Sequence, residues 1–306
     1  MEGVSFPPLS RFAVCCGTHG NEMTGVYMYR HLQKQKVENI TVTTILSNPR
    51  AVDACKRYID IDLNRCFTNA LLCTAITDSS PYELRRAQEI DAEVGPKGSD
   101  EAVDLLCDLH NTTSNMGLCV MYNSSDCVAM HIFKHLKSKI TSVPVRAICS
   151  DEPISEGYAL DSVGKHGLSL EVGPQPNGVV RADNFNVITE AFNHIIEWLQ
   201  QFNSGATFEG GVEDVYKMTE KVDYPRDLNT NEITAAVHPQ LQDNDFKLLR
   251  TGDPIFLSFD GETLRHKGRE LYPFFVNECA YYEKKVAFIL GEKVTVAFPS
   301  ISVTKN

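Results

Sequence analysis

A chain of 306 residues with 42% apolar residues has room for about two domains at roughly 150 residues each, and its apolar content is that of an ordinary globular protein. Its net charge of -11 argues against a nucleic-acid partner, because phosphate binding depends on clustered Lys and Arg, and any anionic ligand would need a local positive pocket. No run approaches a membrane span, and Met1 to Pro8 has neither the basic segment nor the unbroken apolar stretch of a secretory signal. The expected location is therefore the cytoplasm, with any membrane association peripheral and without an anchor.

In chain order, Phe12 to Cys16 reads as a strand that stops at Gly17, and Glu22 to Leu32 as the helix after it. Thr41 to Leu46 is β-branched and alternating, which predicts a second strand. Ser80-Pro81-Tyr82-Glu83 has the form of a helix start, with Ser as N-cap, Pro at the first helical position and Glu three residues on. That helix should stop at Gly95-Pro96. Leu105 to Leu109 is another apolar run, ending on His110. Ala129, Ile132, Phe133, Leu136 and Ile140 recur at helical spacing, as do Phe185, Ile188, Phe192, Ile195, Ile196 and Leu199, and both sets predict core-facing helices. Gly167 to Glu171 reads as a short strand between them. Strands separated by helices imply a largely parallel, three-layer α/β sheet.

The pattern changes near Asn203-Ser204-Gly205. Beyond it, short β-rich runs alternate with turns; Asp260-Gly261 between Ile255-Phe256-Leu257 and Thr263-Leu264 predicts a hairpin, and Lys285 to Val303 predicts further strand. The expected organisation is an α/β domain over 1–209 and a smaller β-rich domain over 210–306. Ten cysteines, none spaced Cys-x-x-Cys and two of them adjacent at Cys15 and Cys16, read as reduced thiols.

In open α/β sheets ligands collect at the carboxyl ends of strands. His19 and Glu22 follow one predicted strand and His110 ends another. Two nitrogens and one oxygen, with a fourth position left for water, is the ligand set of a catalytic zinc. A rival pair, His131 and His135, lies four apart on a predicted helix, but no Glu follows the first His, so both read as surface or partly buried. Glu171, at a strand end, is a candidate general base. Arg57 to Arg65 places two guanidinium groups and the Asn64 amide in one polar segment, and the planar fork of Arg suits carboxylates.

Five segments in order, Gly17-Thr18-His19-Gly20-Asn21-Glu22, Asp60-Ile61-Asp62-Leu63-Asn64-Arg65, Asp108-Leu109-His110-Asn111-Thr112-Thr113, Glu171-Val172-Gly173-Pro174-Gln175-Pro176 and Asn277-Glu278-Cys279-Ala280-Tyr281-Tyr282-Glu283, together resemble the aspartoacylase family of zinc amidohydrolases. The resemblance implies a carboxypeptidase-like zinc domain followed by a smaller β domain that narrows the substrate channel. It implies one zinc per chain on His19, Glu22 and His110, with Glu171 as general base. It further implies that Arg57 polarises the scissile carbonyl, that Asn64, Arg65 and Tyr281 hold the substrate carboxylate, and that the chain forms a homodimer or larger oligomer.

Aspartate-specific members carry an additional Arg shortly before the base, and here Asp161 falls near that place. A carboxylate there would repel an aspartyl side chain. The expectation is hydrolysis of N-acyl, mainly N-acetyl, amino acids with aromatic or thioether side chains, including N-acetylcysteine S-conjugates. Alternatives are action on N-acetyl-L-aspartate, carboxypeptidase-like cleavage of peptides, and a non-catalytic zinc-binding scaffold.

Overall fold

The computed structural model describes residues 2–304. Its strands are β1 (Val4–Phe6), β2 (Arg11–Cys16), β3 (Thr41–Leu46), β4 (Leu105–Asn111), β5 (Gly117–Asn123), β6 (Val145–Ser150), β7 (His166–Gly173), β8 (Gly211–Val222), β9 (Ala235–Val237), β10 (Pro254–Ser258), β11 (Thr263–Arg265), β12 (Tyr272–Phe274), β13 (Phe288–Phe298) and β14 (Ile301–Val303). The helices are α1 (Met23–Leu32), α2 (Pro49–Asp53), α3 (Asn69–Leu72), α4 (Tyr82–Val94), α5 (Cys127–Lys139) and α6 (Ala182–Asn203).

Nine strands form one sheet in the order β12-β13-β8-β6-β5-β7-β4-β2-β3. The β2/β3, β2/β4, β4/β7, β5/β6 and β6/β8 pairs are parallel, and the β5/β7, β8/β13 and β12/β13 pairs antiparallel. The strand period of two divides the core between the faces. Phe12, Val14 and Cys16 pack with Met28 of α1, Phe133 of α5 and Phe192 of α6, while Ala13 and Cys15 pack with Ala87, Ile90 and Val94 of α4. The result is a three-layer α/β structure with helices on both faces of the sheet.

β8 and β13 carry this sheet across the chain junction near residue 210. Their far part joins a second core with Tyr224, Phe256, Phe288 and Leu290, covered by the small β11-β10-β9 sheet. The predicted hairpin is present, with β10 and β11 antiparallel and Gly261 at φ +97. All ten cysteines are free. No helix among the described residues is long and apolar enough to cross a membrane.

The start of α4 differs from its sequence signature. Pro81, not Ser80, is the N-cap and offers no capping side chain; Asp60 Oδ2, from a distant loop, accepts from the Tyr82 backbone N–H at 2.8 Å. The Ser80 hydroxyl instead accepts from the Thr77 backbone N–H at 2.9 Å. Glu83 turns away from its own helix end to accept from the backbone N–H groups of Ile59, Asp60 and Ile61 at 2.6, 3.0 and 3.2 Å. A long-range demand for three acceptors outweighs the local box, and it fixes the loop that carries Arg57 and Arg65.

Candidate functional site

β2, β4 and β7 run parallel side by side, so their carboxyl ends share one edge of the sheet. After β2 the chain turns at Gly17 (φ +65) and presses Gly20 against α2, where a Cβ would stand 2.0 Å from the Ala51 carbonyl carbon. Only glycine permits that approach. The turn thereby brings His19 and Glu22 to His110 and Glu171, which are register partners on β4 and β7.

The three predicted ligands meet. His19 Nδ1 lies 2.6 Å from Glu22 Oε1, His110 Nδ1 lies 2.9 Å from Glu22 Oε2, and the two Nδ1 atoms are 3.2 Å apart. All three residues are buried. The opposite ring nitrogens are engaged by carboxylates: His19 Nε2 by Asp62 at 3.1 Å, and His110 Nε2 by Asp108 at 2.7 Å. Asp108 in turn accepts from the Thr18 hydroxyl at 2.7 Å. Carboxylate partners of this kind hold a ring proton on Nε2, so that the two Nδ1 atoms, which would bind a metal once free of any proton of their own, and the Glu22 carboxylate face one point. The donor set therefore fits a tetrahedral zinc with one open position.

Glu22 is the N-cap of α1, yet its side chain caps nothing. Asn111 Oδ1 accepts from Thr24 N instead, at 3.1 Å, while Asn111 N donates to Glu22 Oε2 at 3.2 Å. Burial alone would raise the Glu22 pKa, but His19 and His110 hold it well below the carboxylate range. Burial likewise pushes His110 down, and Asp108 and Glu22 override it to hold that ring well above its usual value.

Arg57 reaches the same centre, with Nη1 3.2 Å from Glu22 and Nη2 3.3 Å from Asp62. Its buried Nε has no partner among the described residues. Glu171 has the complementary feature: its Oε2 is buried and unpartnered. Burial, with the charges of Glu22 and Glu278 against the opposing pull of His110, pushes Glu171 up to about 8. An unpaired acceptor and an unpaired donor thus face one buried cluster.

Asn64 Oδ1 accepts from Leu160 N at 2.8 Å and its Nδ2 lies 3.4 Å from His110 Nε2. Arg65 is exposed, stacks over the Tyr158 ring at 4.7 Å and makes no ion pair among the described residues. Tyr281 sits on a short 3-10 turn, Cys279–Tyr281, and burial raises its hydroxyl pKa. That turn is pinned by buried Glu278, which accepts from Ala280 N at 3.0 Å, from Thr113 N at 2.7 Å and from the Thr112 hydroxyl just beyond β4. Asp161 is pushed up to about 6 by burial and by the charge of Asp108.

His19, Arg57, Asn64, Arg65, His110, Asp161, Glu171 and Tyr281 all line one cavity of about 680 Å³. Its wall also includes Met121, Ile148, Ile154, Val286 and Ile289. Sequence reasoning assigned no role to Asp62, Asp108, Glu278 or Lys284, whose Nζ lies 2.9 Å from Asp62. Asp108 carried a signal, since it stands two residues before His110 on a strand and so shares its face. Lys284 carried none.

The rival pair His131 and His135 does not meet as a pair at the surface. His131 is 2% exposed, with Nε2 2.9 Å from the Pro299 carbonyl and its ring edge-on to Phe298. It is a core residue, correcting the expectation of a surface or partly buried position.

Fold and site together define a three-layer α/β protein with a candidate hydrolytic metal centre at the carboxyl edge of its sheet. Residues 8–199 match the succinylglutamate desuccinylase/aspartoacylase catalytic domain, and residues 213–293 match the AstE/AspA barrel-sandwich hybrid domain. A zebrafish (Danio rerio) protein named N-acyl-aromatic-L-amino acid amidohydrolase (carboxylate-forming) A is 57% identical over 99% of this chain and 95% of its own length. Rat (Rattus norvegicus) aspartoacylase is 42% identical, covering 98% of each chain. The crystal structure of murine aminoacylase 3 superposes with a TM-score of 0.93 at 41% identity, covering 97% of this chain and 99% of that one. The chain belongs to the succinylglutamate desuccinylase/aspartoacylase family.

Proposed function

We propose that the protein is a zinc-dependent amidohydrolase that cleaves N-acyl amino acids with aromatic or thioether side chains, N-acetylcysteine S-conjugates among them, to a carboxylate and a free amino acid. The observation that carries this reading is the cavity: His19 and His110, which meet Glu22 in one cluster, line a space whose wall includes the apolar side chains of Met121, Ile148, Ile154, Val286 and Ile289. The higher identity to the zebrafish N-acyl-aromatic enzyme than to rat aspartoacylase supports the same choice.

Zinc on His19, Glu22 and His110, one per chain, would supply Lewis acidity and make water acidic near neutral pH. The remaining steps belong to side chains of this chain. Glu171 takes a proton from the attacking water through Oε2 and returns it to the departing amine. Arg57, through its unpartnered Nε, donates to the oxygen on which negative charge grows. Arg65 supplies a charge for the substrate α-carboxylate, beside the Asn64 amide and the Tyr281 hydroxyl. Asp161 faces the substrate side chain and disfavours a second carboxylate there.

The division of labour extends to the chain as a whole. Residues 1–209 supply the zinc and the base, and residues 210–306 narrow the channel through Tyr281 on its pinned turn. A homodimer or larger oligomer in the cytoplasm is the matching assembly and place. Hydrolysis rates on N-acetyl-L-tyrosine and N-acetyl-L-aspartate test the reading: the tyrosine derivative should be the better substrate. A clear preference for the aspartate derivative would give the aspartoacylase alternative instead.

A further inference from the structure

A second set of metal-ligating side chains stands apart from the catalytic edge. His194 and Glu197 are three apart on α6 and share a face; His135 arrives from α5, so only the packing of the two helices brings the three together. Their donor atoms all lie within 4.8 Å of one another. Glu197 Oε2 stands between the rings, 2.8 Å from His194 Nδ1 and 3.7 Å from His135 Nε2.

Two observations separate this cluster from an ordinary surface ion pair. The His135 side chain is only 11% exposed, and its Nε2 is buried with no hydrogen-bond partner. Leaving a buried polar atom unsatisfied is costly, and a ligand bond to that atom would relieve the cost. The spacing also suits a metal: ligand bonds of about 2.0–2.1 Å around tetrahedral zinc set donors about 3.3 Å apart. The separations of 2.8 and 3.7 Å bracket that value, and the partly exposed His194 and Glu197 have room to adjust. Lys139 holds the other carboxylate oxygen, Oε1, at 2.9 Å, leaving Oε2 as the donor. Glu190, 4.0 Å from His194 Nε2, lies on the side of that ring away from the cluster.

We propose that His135, His194 and Glu197 form a second, peripheral site for a divalent transition metal, with zinc as the reference ion and water completing the coordination. Two imidazoles and one carboxylate favour zinc, copper or nickel over calcium and magnesium. None of the three residues lines the catalytic cavity. The site therefore acts by tying α5 to α6, and metal bound there stabilises the fold without entering the reaction.

The test is bound zinc per chain, measured on the full-length protein after dialysis against micromolar free zinc. The wild type is compared with His194→Gln and Glu197→Gln. Each variant should hold one equivalent fewer than the wild type and hydrolyse N-acetyl-L-tyrosine at the same rate, and zinc should raise the melting temperature of the wild type more than that of either variant. Equal zinc content in all three proteins overturns the proposal. Because the result is a difference between proteins that share the His19 centre, it holds whatever that centre binds.

Discussion

Replacing Glu171 with Gln should stabilise the metal-free protein at alkaline pH while abolishing its activity. The carboxyl is pushed from an ordinary 4.5 up to about 8, chiefly by burial. Between those two values the unfolded chain has released the proton and the folded chain still holds it, so stability falls as pH rises through this window and levels off above about 8. At about 1.4 kcal/mol per tenfold change in proton affinity, the ceiling of that loss is about 5 kcal/mol. Residual exposure of the side chain at the cavity wall brings the expected figure to a few kcal/mol. Gln carries no titratable charge, so the variant escapes the loss. Urea unfolding of chelator-treated protein at pH 5 and pH 9 reads it directly: the stability gap should open in favour of the variant from the lower pH to the higher. A gap that is the same at both values would refute the argument that the base is held in a poorly solvated position.

Arg57→Ala should lower kcat by about 10²–10³-fold, as expected for loss of a donor to developing oxyanion charge, with a smaller change in KM; equal losses in substrate binding and turnover would place Arg57 in ground-state binding alone. Asp161→Arg should shift the ratio of kcat/KM toward N-acetyl-L-aspartate by about tenfold or more, about 1.4 kcal/mol, and an unchanged ratio would remove Asp161 from the side-chain pocket. Zinc binding should release a proton, because Asp108 and Glu22 hold His110 protonated well above its usual range. Titration calorimetry in buffers of different ionisation enthalpy should detect that release near neutral pH, and a buffer-independent heat would contradict it.

Much of the site was legible because strand ends concentrate ligands and because period-two and period-3.6 patterns are local. His19, Glu22, His110 and Glu171 needed only the placement of β2, β4 and β7, each a largely apolar run closed by a glycine or a polar residue. β5 and β6 drew no separate reading, and the antiparallel pairing of β5 with β7 follows from tertiary packing that no local pattern encodes. The α4 start was misread for a related reason: Ser80 and Glu83 satisfy the capping-box spacing, but Glu83 is taken by backbone donors of Ile59, Asp60 and Ile61. The carboxylates behind the ligands, Asp62 and Asp108, lay inside segments already singled out, yet their partners became visible only with distances. His135 shows the limit most plainly, since its neighbours His194 and Glu197 come from another helix. Spacing along the chain pairs it with His131, which instead faces the core.

The central claim is that a buried Glu171 acts beside a zinc held by His19, Glu22 and His110. Its most direct test is the rate of N-acetyl-L-tyrosine hydrolysis by zinc-loaded wild type and zinc-loaded Glu171→Gln, with zinc content measured on the same samples. The account predicts undiminished zinc at the His19 centre and a rate lowered by at least about 10²-fold, the lower range for loss of a general base. A variant that keeps its zinc and hydrolyses at the wild-type rate would contradict it.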